Sequence, residues 1–167
     1  PDASFREACR AVDQMYAVDV PCQADLVIAS PGGYPKDINL YQSQKAIEQA
    51  THVVRPGGDV LLTAQCREGS GSALFEAWME QAYTAEDLVR RIQEHFVMGG
   101  HKAYQIARET QHAQIHLYSD IAPGRVRAWL MSPVGSLAHV HRLIARSQSV
   151  LVLPQATLLR ARVSRER

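Results

Sequence analysis

Tyr41, Gln42 and Lys45 place a phenol, a carboxamide and an ammonium within one short stretch of chain. On a helix Tyr41 and Lys45 share a face, and Gln42 lies about 100° round from Tyr41. Helical side chains lean toward the N-terminus, so these groups aim back at the start of their helix and can converge on one small ligand. The ammonium would neutralise a carboxylate while the amide and the phenol fix its orientation by hydrogen bonds. The same spacing also suits a Tyr41 turned into the core, with Gln42 and Lys45 in water.

The elements that must hold these groups are readable as repeated βα units. Short apolar runs at Leu26–Ser30, Val60–Ala64, Gln114–Tyr118 and Val150–Leu153 read as buried parallel strands. Helical patterns follow from Asp37 to about Val53, stopped by Arg55-Pro56-Gly57-Gly58, then over Ser72–Ala82 and from Thr84 to about Phe96. Further helices are expected over His101–Gln111 and Leu137–Arg146. Thr84 with Asp87 resembles a capping box, Asp2 resembles the cap of a helix near residues 3 to 15, and Arg125–Leu130 stays ambiguous. The extended piece at Val18–Val20 and the first helix are expected to pack at one edge. The fold class is therefore α/β: a single domain with a Rossmann-like parallel sheet and helices on both faces.

In such sheets ligands lie beyond the carboxyl ends of the strands, which selects the loops Pro31–Lys36, Arg67–Ser72 and Ser119–Pro123 and the stretch after Leu153. Asp37 is the expected cap of the first crossover helix, whose free amides would then suit an anion. Only two glycines occur in the first loop, so it is not a dinucleotide fingerprint. Glu68–Gly71 on one side and His101 with Lys102 on another are further rim candidates, or else an ordinary loop and a solvated helix end.

Composition narrows the partners. The 167 residues are 46% hydrophobic and carry a net charge of +1, and no apolar run approaches a membrane span. Neither nucleic acid nor membrane is expected as a partner. Arg160–Arg167 holds four Arg and one Glu, so the slightly basic balance resides in that tail, read as an exposed terminus with no function assigned. Three cysteines without C-x-x-C spacing argue against a disulfide framework or structural zinc and favour a reducing cytoplasm. Cys66 reads as a small buried hydrophobe, and Trp78 and Trp129 as packing residues. On a strand approach His112 and His116 would stand about 13 Å apart. His139 and His141 would point nearly opposite ways on a helix, so neither pair suits a shared ion. The opening at Pro1, without Met, suggests a piece of a longer protein.

Four blocks carry a resemblance. Ser30-Pro31-Gly32-Gly33-Tyr34-Pro35-Lys36-Asp37-Ile38-Asn39-Leu40-Tyr41-Gln42 with Lys45 after it is the most specific. With Arg55-Pro56-Gly57-Gly58, Cys66-Arg67-Glu68-Gly69-Ser70-Gly71 and Gly99-Gly100-His101-Lys102-Ala103-Tyr104, it resembles the C-terminal domain of the nickel-dependent lactate racemase family. The likeness implies that residues 1–159 are the C-terminal α/β domain of a two-domain racemase or epimerase of small 2-hydroxy acids, with 160–167 a basic tail. It implies a nickel-pincer nucleotide held by the N-terminal domain, the partner of this one, with no cofactor-binding or metal-ligating residue here. There a base removes the hydroxyl proton while hydride passes from C2 to the cofactor and back, so the isolated chain is expected to be inactive. The family's substrate group falls on Tyr41, Gln42 and Lys45, with Lys45 holding the carboxylate between the two hydride steps. Where the family's lactate enzyme is expected to carry a Trp, this sequence has Lys102, Ala103 and Tyr104, which implies a larger or more polar 2-hydroxy acid. The competing reading is a non-catalytic anion-binding or regulatory α/β module that uses the helix start at Asp37. A methyltransferase reading is disfavoured, since no suitable Gly-rich loop follows the first strand.

Overall fold

The computed structural model describes residues 2–164. The chain runs α1 (Asp2–Tyr16), β1 (Ala17–Val20), β2 (Ala24–Ala29), α2 (Leu40–Thr51), β3 (Val54–Thr63), α3 (Ala73–Glu80) and α4 (Ala85–Glu94). It continues through α5 (Gly100–His112), β4 (Gln114–Tyr118), α6 (Pro123–Ala128), β5 (Ser132–Pro133), α7 (Leu137–Arg146), β6 (Val150–Leu153), a 3-10 turn at Ala156–Leu158 and β7 (Arg160–Val163).

Five strands form a parallel sheet in the order β5-β4-β3-β2-β6. Parallel neighbours need crossovers, and right-handed crossovers that step from β2 through β5 in one direction place α2, α3, α5 and α6 on one face. The return to β6 reverses the step and puts α7 on the other. The strand period of two divides the side chains accordingly. Val27, Leu62, Ile115 and Leu117 join Ile47, Trp78, Ile106 and Trp129 in the larger core, whereas Leu26 and Leu61 meet Val134 and Leu143 under α7. The expected parallel sheet with helices on both faces is what forms.

Several local expectations change. Arg55-Pro56-Gly57-Gly58 does not separate a helix from a strand but lies inside β3, where the register to β2 shifts between Ala24 and Leu26. Gly57 has φ +72°, and a Cβ on Gly58 would come within 2.8 Å of the Asp25 carbonyl, so glycine here lets the strand bulge and still pair. The ambiguous Arg125–Leu130 is mostly α6. Asp2 is the first residue of α1 rather than a cap before it, and α1 buries none of its residues.

The tail placed at 160–167 is corrected over its first half. Arg160–Val163 forms β7, which pairs in parallel with β1 as a separate two-stranded sheet, and Ala161 is buried. Alternation decides this: Ala161 turns inward while Arg160 and Arg162 turn out to Asp13 and Asp19. Residues 165–167 of that tail lie outside the described residues.

Candidate functional site

The loop after β2 and the loop after β3 are laced together by their backbones. Cys66 N–H donates to the Asp37 carbonyl at 2.9 Å and Glu68 N–H to Ile38 at 3.0 Å. In return Leu40 N–H donates to the Gly69 carbonyl and Tyr41 N–H to Ser70, both at 2.9 Å. The Gly-rich segment after β3 is therefore the template on which α2 begins, not a free loop.

That lacing overturns two expectations. The cap of α2 is Asn39, whose Oδ1 accepts from Gln42 N–H at 3.0 Å; Asp37 lies before the helix and accepts from Gln65 N–H at 3.3 Å. The first-turn amides of α2 are also occupied: Gly69 and Ser70 carbonyls, the Asn39 side chain and the Asn39 carbonyl take those of Leu40 to Ser43. A helix start binds an anion through free N–H groups. With these four donors engaged, anion capture by that end, on which the competing module reading rested, loses its footing.

The side chains remain available. Lys45 Nζ donates to Gln42 Oε1 at 2.9 Å, with Lys45 exposed, and Tyr41 stands half-buried beside them in the first turn. Tyr41 is not lost in the core. Its ring meets the His101 ring edge-on at 6.4 Å and 86°, and Lys102 Nζ lies 5.7 Å from its centroid. Thus the first turns of α2 and α5 meet at the carboxyl end of the sheet and bring together Tyr41, Gln42, Lys45, His101 and Lys102. His101 and Lys102 stood apart from the trio in sequence. Gln44, not foreseen, is fully buried and accepts from Lys102 Nζ at 2.9 Å; its position three after Tyr41, on the face turned to α5, was the available signal.

Packing fixes this arrangement. A Cβ on Gly100 would lie 2.6 Å from the Trp78 ring, so only glycine lets α5 seat its first turn on α3. Ser70 is held by the Glu76 carboxylate at 2.5 Å, and Glu76 also pairs with Arg125. Burial holds the His101 pKa below its ordinary value, with the Lys102 charge adding to the effect. Burial likewise lowers that of Lys102, with Glu48 opposing and Lys45 reinforcing. Cys66, packed beside the Ser43 hydroxyl, is pushed up to about 11, chiefly by burial. It sits as a neutral apolar group.

An open cleft of about 530 Å³ lies over the carboxyl ends of β3 and β4, between Asp37, Gln65, Tyr118, Asp120 and Gly135. Tyr41, Gln42 and Lys45 do not line it. At the switch between β2 and β6 the crevice is filled by the 3-10 turn, where Ala156 N–H donates to Ser30 and the Thr157 hydroxyl to Pro31. Two other histidines, His116 and His139, serve the fold on the α7 side. His116 Nε2 bonds Asp59 Oδ1 at 2.6 Å, Arg146 reaches the same oxygen at 2.6 Å, and His139 approaches the His116 ring.

Residues 20–140 match the lactate racemase C-terminal domain family. Lactate racemase of Thermoanaerobacterium thermosaccharolyticum is 33% identical over 86 residues, which is 52% of this chain and 20% of that protein. Lactate racemase of Lactiplantibacillus plantarum is 31% identical over 74 residues, 44% of this chain and 17% of that one. The chain thus matches only a small part of these relatives' length. The lactate racemase apoprotein structure from T. thermosaccharolyticum superposes with a TM-score of 0.84 at 24% identity, over 95% of this chain and 40% of that one. A Thermotoga maritima protein superposes with a TM-score of 0.69 at 10% identity, over 97% and 42%. With the family match spanning most of its length and the fold shared, this chain belongs to the lactate racemase C-terminal domain family.

Proposed function

We propose that this chain is the substrate-side wall of a racemase or epimerase of 2-hydroxy acids, with Lys45 gripping the carboxylate and Gln42 and Tyr41 orienting it. The observation that carries the reading is the 2.9 Å contact from Lys45 Nζ to Gln42 Oε1 beside the Tyr41 ring. An ammonium has three donors, so two remain for a carboxylate. With the Gln42 carbonyl engaged by Lys45, its amide N–H groups are the donors left for a second oxygen of the acid. Inversion at C2 requires the acid to stay fixed by its carboxylate while the carbon becomes planar, and that holding is the task of these residues.

The nickel-pincer nucleotide implied by the resemblance needs a metal-binding donor set. Among the described residues no group of three His, Cys, Asp or Glu is arranged to hold a metal ion. These residues by themselves do not fit that cofactor, and its seat on this reading is the N-terminal domain. The open setting of the trio and the exposed Phe96 and Met98 beside His101 suit a surface closed by that domain. On this reading the isolated chain is inactive. A reducing cytoplasm, as the cysteine usage suggests, is the proposed compartment; no described helix is long and apolar enough to cross a membrane.

The test is the nickel-matured parent protein with a panel of 2-hydroxy acids, followed by optical rotation. One acid should lose its optical activity, and Lys45→Ala should cut kcat/KM by about 10- to 100-fold, the worth of a charged hydrogen bond, with folding unchanged. No stereochemical change with any acid would sink the reading.

A further inference from the structure

Lys102 is 9% exposed, the second ammonium at this site, and it points to a ligand that a simple monocarboxylate does not satisfy. Burying an ammonium is costly unless it is paired with an anion. Here its named partners are the neutral Gln44 carbonyl oxygen at 2.9 Å and the Tyr41 ring face at 5.7 Å. Neither Lys45 nor Lys102 takes part in an ion pair among the described residues. Glu48 acts on Lys102 from a greater distance, and Lys45 opposes it as a like charge. Tyr41 therefore stands between two ammonium groups, neither held in an ion pair, with the neutral His101 ring on its edge.

We propose that Lys102 is a specificity-determining binding group, and that the ligand of this site is a 2-hydroxy acid bearing a second carboxylate. This rests on the reading of Lys45, Gln42 and Tyr41 as the group that holds the first carboxylate. One carboxylate engages Lys45 and Gln42 on α2, the other engages Lys102 on α5, and the Tyr41 ring separates the two. The geometry supplies the reason for a buried lysine at a helix start: α5 brings its ammonium to the same end of the sheet as α2, and Gln44 holds it there until a diacid arrives. A monoacid such as lactate leaves Lys102 without its counter-charge.

The experiment is a calorimetric titration of the full-length parent protein, with its N-terminal domain present, with 2-hydroxysuccinate and with lactate, repeated for Lys102→Met and Lys45→Ala. The unmodified protein should bind the diacid about tenfold more tightly than lactate, and in Lys102→Met the ratio of the two affinities should fall to about one. Lys45→Ala should weaken both acids. The comparison of acids on the unmodified protein needs no variant, so it stands even where Lys102→Met folds poorly. Lys45-dependent binding with no preference for the diacid overturns this inference and leaves the carboxylate-binding reading intact. Binding of both acids unaffected by Lys45→Ala, or no binding of either up to about 10 mM, overturns both.

Discussion

A Cβ on Gly71 would lie 2.3 Å from the Asn39 side-chain carbon, so the loop after β3 and the cap of α2 occupy the same space and fit only because position 71 has no side chain. Gly71 also has φ +76°, a region that L side chains rarely enter. Gly71→Ala should therefore destabilise the chain by about 2–4 kcal/mol in urea unfolding, combining backbone strain with a displaced cap. Because Gly69 and Ser70 carbonyls hold the first amides of α2, the same variant should move the Tyr41 ring. An unchanged NMR spectrum of His101 beside it would refute that link.

The capping assignment separates two neighbouring residues. Asn39→Ala should cost about 1 kcal/mol of stability, since Gln42 N–H loses its acceptor. Asp37→Ala should cost less, because its contact with Gln65 N–H is long and exposed. Equal losses in denaturant titration would argue that Asp37 shares the capping role.

Cys66 supplies a pH and reactivity prediction. Its thiol is raised from 9.0 to about 11 in the fold, mainly by burial. The folded state thus keeps its proton where the unfolded state releases it. The stabilisation is complete below pH 9 and is lost as pH rises through about 11, by an amount of order 2 kcal/mol. At neutral pH a thiol reagent should label Cys9 and Cys22, which are exposed, and spare Cys66 until the chain unfolds. Rapid labelling of all three in native buffer would contradict the buried placement.

On the opposite face Asp59 accepts from His116 and Arg146 on the same oxygen. Asp59→Ala should destabilise by about 1–3 kcal/mol because it strips the buried His116 of its partner. Arg146→Ala, at an exposed guanidinium, should cost no more than about 1 kcal/mol. Thermal unfolding of the two variants checks the order.

Lys45 is exposed, so Lys45→Met should leave stability within about 0.5 kcal/mol even though it removes the contact with Gln42. Thermal melts that coincide with those of the unmodified chain would assign any loss of ligand binding to the ammonium itself.

Much of the architecture is fixed by local pattern. The runs at Val60–Ala64 and Gln114–Tyr118, the Thr84–Asp87 capping box and the Ser136 start of α7 are each written in a few adjacent residues, because strand burial, caps and crossover handedness depend on near neighbours. The Tyr41-Gln42-Lys45 spacing is legible for the same reason, since a helix converts sequence distance directly into a shared face. What the sequence could not decide rests on contacts between segments far apart in the chain. Asn39 rather than Asp37 caps α2 because Gly69 and Ser70 pin Leu40 and Tyr41. Arg160–Val163 becomes a strand because β1 offers it an open edge. Lys102 and His101 meet Tyr41 because Gly100 lets α5 settle against Trp78. Backbone hydrogen bonds and packing volume are set by whichever segment arrives alongside, and only the folded chain determines which one that is.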